Sequence, residues 1–445
     1  MLRDILPNCL RVKHVLPDHP IVWQADEESL VGKSGTISMQ ELIDRYSPEF
    51  SHGAASLLHP MLVNGHLQTA YAAYKPFKTI DRVNYKRLIL RYPDQGEGTV
   101  DFAVKSLDPQ RDGDYVPPSQ SAHELPKNYS YFDPDDPRQF SSDDRPMLIV
   151  LHGLTGGSAE SYARTLVSRI TKHYNFEACV FNARGCCQST ITTPQTYNGG
   201  WTNDIRFCVN ELRSRFPNRR LYMVGFSLGA SVLSNYIGEE AENSQIDCAV
   251  ALGNPWDLAH SSYYINNTKM GAKFYSPALA QNLVDLSKTH MEVLKTHSKL
   301  GKRYETKMTN IHTVEHFDNL FTAPMFGYNT ATEYYRNASS CNRLLSIRTP
   351  FLAINSLDDP IVGYEAMPEE EIRANPYTLL IETTKGGHVA WFENTKGKRW
   401  YTDPLCRFLS AFHREIVVKN LKLVVDAEEL PHNNVGPVMT TNLKF

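Results

Sequence analysis

No stretch of this chain reaches the ~20 consecutive apolar residues that cross a bilayer as a helix, so a membrane-spanning protein is not expected. The opening stretch MLRDILPNCLRVKHVLPDHP lacks the uninterrupted apolar run of a secretion signal. Charge of one sign is also missing. Lys and Arg together number 46 and Asp and Glu 49, a net charge of −3 with no block of like charge. That balance excludes the basic face a nucleic-acid binder needs. The eight cysteines (Cys9, Cys179, Cys186, Cys187, Cys208, Cys248, Cys341 and Cys406) include no CxxC pair and no zinc spacing. They read as reduced thiols of a cytosolic protein, and the Asn-x-Ser/Thr matches at Asn128, Asn266 and Asn337 then read as chance. There is no internal repeat and no low-complexity tract.

What is present is apolar substance in short, spaced runs. Hydrophobic residues make up 41% of the 445, enough for one enlarged catalytic domain with an extension and an insertion. Residues 1–145 read as an N-terminal extension. Within it Lys86–Tyr92 and Thr99–Lys105 form a β-hairpin, and residues 106–145, rich in Pro, Asp and Ser, an irregular connection. From Pro146 the pattern becomes a parallel-sheet pattern. Met147–Leu151, Ala178–Phe181, Leu221–Val224, Asp247–Leu252, Phe351–Ile354 and Thr378–Ile381 are continuous apolar runs, the mark of strands buried on both faces. Helical segments at 202–215 and Leu228–Ile237 fall between them, and 400–414 reads as a closing helix. A further helix carries Tyr162, Leu166, Val167 and Ile170 on one face, with Ser158 as its expected cap. Alternating strand and helix predict an α/β sheet covered on both sides. Residues 146–257 and 346–415 hold the two parts of that core. The stretch 258–345 breaks the alternation and reads as a lid and substrate-binding insertion, and 416–445 as a tail.

The chemistry concentrates at Gly225-Phe226-Ser227-Leu228-Gly229. This G-x-S-x-G follows the strand LYMV and opens the helix LGASVLSNYI, the setting of a nucleophile on a sharp strand-to-helix turn. That context makes Ser227 the expected nucleophile and the chain an α/β-hydrolase. The loop His152-Gly153-Leu154-Thr155-Gly156-Gly157, beginning 75 residues before Ser227, is placed to supply an oxyanion hole. One backbone N–H would come from Leu154 and the other from Leu228, the residue after the nucleophile. An acid should follow a later strand. Asp359 is preferred because Pro360-Ile361-Val362 can turn back into the fold. Asp358 beside it and Asp257 after the earlier strand remain alternatives. The base is expected at His388, on a glycine loop past the final strand. His312 and His316 stand four apart, but no Glu follows His312, so the zinc-protease pattern fails. The expected triad needs neither metal nor organic cofactor.

These motifs stand in an order that resembles the AB-hydrolase-4 family of serine esterases. Within it the chain is most similar to the fungal branch of medium-chain fatty acid ethyl ester synthase/esterases and monoacylglycerol lipases. The likeness runs over residues 55–415. It is carried by Gly65-His66-Leu67-Gln68-Thr69, His152–Gly157, Asn182-Ala183-Arg184-Gly185, Gly225–Gly229 and Asn254–Asp257. Asp318, Gly327-Tyr328, Glu333-Tyr334-Tyr335, Ser339, Asp358-Asp359-Pro360 and Gly387-His388 continue it. The resemblance implies hydrolysis of esters of medium or long acyl chains, with transfer of the acyl group to an alcohol as the alternative and a silent lipid-binding scaffold as a more distant one. The His-x4-Asp acyltransferase pattern of some relatives is not met by His312 or His316 with Asp318. The implied partner is a lipid or fatty acyl ester, and peripheral association with lipid droplets or membranes is compatible with it. The insertion carries Tyr263, Tyr264, Phe274, Tyr275, Phe317, Phe321, Met325, Phe326, Tyr334 and Tyr335, some of which are expected to line an acyl tunnel.

Overall fold

The computed structural model describes residues 6–25, 35–75, 77–108, 112, 115–120, 124–426, 428 and 430–431. Residues 432–445 of the expected tail, and parts of the connection at 109–111, 113–114 and 121–123, lie outside the described residues. The strands, in chain order, are β1 Cys9–Val15, β2 Val22–Gln24, β3 Thr36–Ser38, β4 Ala55–Leu57, β5 Asn84–Arg91, β6 Glu97–Val104, β7 Tyr129–Tyr131, β8 Met147–Leu151, β9 Glu177–Asn182, β10 Leu221–Phe226, β11 Cys248–Leu252, β12 Phe351–Ser356, β13 Thr378–Thr383 and β14 Lys422–Val424. Eleven of them form one sheet in the order β4-β1-β13-β12-β11-β10-β8-β9-β6-β5-β7. The central six, β13 to β9, are parallel to one another.

The apolar runs explain this core. Met147–Leu151, Leu221–Phe226 and Cys248–Leu252 are buried at every position, which requires helices on both faces. The helices Ser161–His173, Asn203–Arg215, Leu228–Glu240 and Thr402–Phe412 supply much of that cover. The hairpin forms as expected, with Leu88 opposite Val100, and adds antiparallel strands at one side through β6 and β9. On the other side β1 runs antiparallel to β13, with Val12 opposite Thr383, and β4 forms the edge beyond it. Sequence patterning did not place β1. Part of the tail is also structured, because β14 pairs with β2 in a separate three-stranded sheet.

One local expectation is corrected. Ser158 does not cap the following helix, whose N-cap is Glu160 and has no side-chain cap. The Ser158 hydroxyl is drawn instead to Asp101, a buried carboxylate that also receives the paired N–H groups of Arg87 at 2.7 and 2.8 Å. A buried ionised acceptor outcompetes a helix N–H for that hydroxyl.

Residues 258–346 contain no strand among the described residues. They fold as short helices and π turns around a core of their own, which includes Phe317, Phe321, Met325, Phe326, Tyr334 and Tyr335. Most of the expected tunnel aromatics are therefore spent on packing this segment. Tyr263 and Phe274 face outward, 67% and 48% exposed.

Candidate active site

The turn after β10 is built by its glycines. A Cβ at Gly225 would run into the backbone of Gly229 and Ala230, and one at Gly229 into the carbonyl of His152. Both faces of the turn are thus in backbone contact, and Ser227 is held at φ +52°, ψ −121°. That left-handed conformation costs a non-glycine residue about 1–3 kcal/mol, which the surrounding contacts must offset. Ser227 N–H donates to Leu252 O at 2.9 Å, fixing the turn to β11. The serine side chain is pushed above the carboxyl ends of the parallel strands, where open α/β sheets bind ligands.

Three of the sequence-selected side chains meet there. Ser227 Oγ lies 2.7 Å from His388 Nε2, and His388 Nδ1 lies 2.7 Å from Asp359 Oδ2. Asp359 is 1% exposed, and its other oxygen accepts the N–H groups of Ile361 and Val362 at 2.8 and 3.1 Å. The Pro-Ile-Val segment turns back on the carboxylate as its sequence suggested. Asp358 points elsewhere and accepts Gly387 N–H at 2.9 Å and the Ser356 hydroxyl at 2.7 Å, so it shapes the loop that presents His388. Asp257 caps the Leu258–Asn267 helix through Ala259 and His260 N–H and does not join the other three.

The His388 loop has a second support that patterning missed. The Gly65–Tyr74 helix, capped by Asn64, lies against it. Thr69 Oγ1 accepts the His388 N–H at 2.9 Å. Gln68 accepts Phe392 N–H at 2.8 Å and donates back to Leu62 O at 3.1 Å. The family-like Gly65–Thr69 motif was the one signal available, and it named the residues without their partners.

The loop after β8 presents three consecutive backbone N–H groups with different fates. Gly153 N–H donates to the Tyr162 hydroxyl at 2.9 Å and Thr155 N–H to the Tyr197 hydroxyl at 2.7 Å. Among the described residues, Leu154 N–H between them has no acceptor. Leu228 N–H belongs to the first turn of its helix, where N–H groups lack intrahelical partners. His152 anchors the loop from below: Nδ1 faces Gly153 O at 2.6 Å and Nε2 accepts Ala183 N–H at 3.0 Å. Burial lowers its pKa to about 4, so it stays neutral in the tautomer these contacts demand. The Asn182–Gly185 motif completes the base. Asn182 receives Ser158 N–H, and Arg184 pairs with Asp204 through two contacts of 2.7 Å.

Ser227 and His388 open into a cavity of about 140 Å³. Its wall is mostly aliphatic, with Leu154 and Leu228 near the serine and Leu258, Ile265, Leu279, Leu283 and Val314 from the 258–346 segment. Only Tyr334 and Tyr335 of the expected tunnel aromatics reach it. Asp318, Thr322 and Ser262 bring polar groups to the same wall. Glu333 of the neighbouring motif serves elsewhere, accepting Asn329 N–H at 2.8 Å.

The family described as alpha/beta hydrolase fold matches residues 146–395. The chain belongs to that family. Monoacylglycerol lipase of Saccharomyces cerevisiae is 52% identical to it over 445 residues, covering 99% of both chains. Medium-chain fatty acid ethyl ester synthase/esterase 2 of the same yeast is 31% identical, over 87% of this chain and 95% of its own. Human phospholipase ABHD3 is 29% identical over 62% of this chain and 68% of its own. As a member of the alpha/beta hydrolases with such full-length relatives, the protein is a carboxylic ester hydrolase of the serine class. No helix among the described residues is long and apolar enough to cross a membrane.

Proposed function

We propose that this enzyme hydrolyses esters of medium and long acyl chains, monoacylglycerols foremost, through an acyl-enzyme on Ser227. The observation that carries the reading is the pair of 2.7 Å contacts that line up Ser227, His388 and Asp359 at the mouth of an apolar cavity. Ser227 Oγ attacks the ester carbonyl as its proton passes to His388 Nε2, and Asp359 stabilises the imidazolium and holds its tautomer. Leu154 and Leu228 N–H donate to the oxyanion, in a preorganised geometry that typically contributes several kcal/mol to such transition states. His388 then returns the proton to the leaving alcohol. A water molecule, deprotonated by the same imidazole, releases the fatty acid. The aliphatic wall holds the acyl chain, each buried CH₂ contributing ~0.8 kcal/mol. Residues 258–345 act as the lid that carries most of that wall.

Hydrolysis is preferred over transfer to an alcohol because the 52% identical relative bears a lipase's name, whereas the synthase/esterase is related at 31%. A fluorophosphonate probe should label the wild type, and Ser227→Ala should lose both labelling and ester hydrolysis. Equal labelling of the variant would sink the assignment.

The enzyme acts in the cytoplasm and rests on lipid droplets or organelle surfaces without crossing them. Exposed Met61, Tyr74, Tyr263 and Phe274 are the groups that would meet such a surface. Flotation with phosphatidylcholine vesicles tests this, and an enzyme that stays wholly at the bottom of the gradient contradicts it.

A further inference from the structure

The cavity contains a group that the mechanism above does not use. Asp318 is 6% exposed, lines the same cavity as Ser227 and His388, and opens the π turn Asp318–Thr322. Such turns interrupt regular helix hydrogen bonding and are frequent at functional positions. No Lys, Arg or His forms an ion pair with Asp318 among the described residues. Its Oδ2 accepts the Tyr335 hydroxyl at 2.7 Å.

A carboxylate has about four acceptor positions and no donor. One hydroxyl therefore leaves it capacity to accept, in a cavity whose wall is mostly aliphatic. A saturated acyl chain has no donor to give. The ethyl group of an ethyl ester has none either. A glycerol group carries two free hydroxyls beside the ester.

We infer that Asp318 anchors a free hydroxyl on the alcohol half of the substrate, with Tyr335 holding the carboxylate in position; this rests on the hydrolase reading of Ser227. The enzyme thereby selects polyol monoesters over simple alkyl esters of the same acid. A site built to accept a hydrogen bond discriminates strongly against a ligand that cannot donate one.

The test is kcat/KM for 1-decanoylglycerol and for ethyl decanoate, in the wild type and in Asp318→Asn. The wild type should prefer the glycerol ester, and the ratio of the two should fall at least about tenfold in the variant, the lower end for a hydrogen bond to a charged group. An unchanged ratio, or no preference in the wild type, overturns the inference. Ethyl 10-hydroxydecanoate is the third substrate. If Asp318→Asn removes a preference for that ester and leaves the glycerol preference intact, the hydroxyl belongs to the acyl half and the assignment is wrong. A measurement on the wild type alone guards against a variant that fails to fold. The non-hydrolysable 1-O-decylglycerol should inhibit at least about tenfold better than decyl ethyl ether, and equal inhibition overturns the inference. Hydrolysis of both esters with Ser227 labelled, but no selectivity, defeats the Asp318 assignment alone. Absence of hydrolysis and of labelling defeats both readings.

Discussion

Asp318 should be a cost to the fold at neutral pH, and the size of that cost can be worked out. Burial raises its pKa from the ordinary 3.8 to about 6, against the hydroxyls of Thr322 and Tyr335 that pull it down and with Glu315 adding a smaller upward push. A carboxyl that holds its proton more tightly when folded stabilises the fold fully below its unfolded pKa. It loses that contribution as pH rises through the folded one. The gap between 3.8 and about 6 is worth about 3 kcal/mol. Asn at 318 has nearly the same shape, keeps an acceptor for Tyr335 and does not titrate. The stability of Asp318→Asn relative to wild type should therefore rise by about 2.4 kcal/mol between pH 4 and pH 7.5, since pH 4 already lies above the unfolded pKa. For a chain of this size, with unfolding entropy near 2 cal/mol/K per residue, that is a relative gain of about 3 °C in Tm. Thermal melts of both proteins across that range measure it. Because every other titrating group is common to the two proteins, only the difference between the curves matters. Parallel Tm curves would refute the reasoning, as would a gap that closes with rising pH. The expected outcome is a variant that is more stable and less selective, the trade expected where a buried charge is kept for binding.

The acid assignment separates cleanly by mutation. Asp359→Asn should lower kcat by about 10⁴-fold with little loss of stability, whereas Asp257→Asn should leave kcat near wild type and Asp257→Ala should cost about 1 kcal/mol of stability as a lost helix cap; steady-state kinetics with denaturation curves would show Asp257→Asn as the inactive variant if Asp257 were the acid. Thr69→Val removes the acceptor of the His388 N–H while keeping the side chain's shape, so kcat should fall by about tenfold with fluorophosphonate labelling slowed in proportion. A rate unchanged from wild type would show that the loop holds His388 without Thr69. For the acyl wall, kcat/KM should rise steeply from acetyl to octanoyl esters, at about fourfold per CH₂ while the chain is still entering the cavity. A profile that peaks at acetyl would contradict an acyl site.

How far the sequence could be read depended on how local the signal was. The elbow at Ser227 was legible because strand, glycines and helix are contiguous. Asp359 was separable from Asp358 by the Pro-Ile-Val that follows it, of which Ile361 and Val362 donate their N–H groups to its carboxylate. Asp257 looked acceptable by position after a strand, and only the contacts reveal it as a cap. Thr69 and Gln68 were out of reach, because their partners His388 and Phe392 lie 319 and 324 residues away. The aromatic content of 258–345 suggested a tunnel. A segment that must build a separate core spends its large rings there first, leaving the cavity to Leu, Ile and Val. Ser158 failed as a cap because the competing acceptor, Asp101, arrives from the hairpin.

The pairing of β1 with β13 sets the order in which the enzyme can be assembled as it is made. Val12 waits for Thr383, about 370 residues later in synthesis. At ordinary translation rates that is between about 20 and 70 s. Through this interval Leu10, Val12 and Val15, all buried in the finished protein, have only the short strand β4 to pair with. The emerging chain thus carries an apolar strand that cannot join the parallel core until β13 has been synthesised. The helix that supports His388 follows closely behind that strand, so the catalytic loop can be braced only after the β13 region has left the ribosome. A strand made early is thus among the last to join the core sheet.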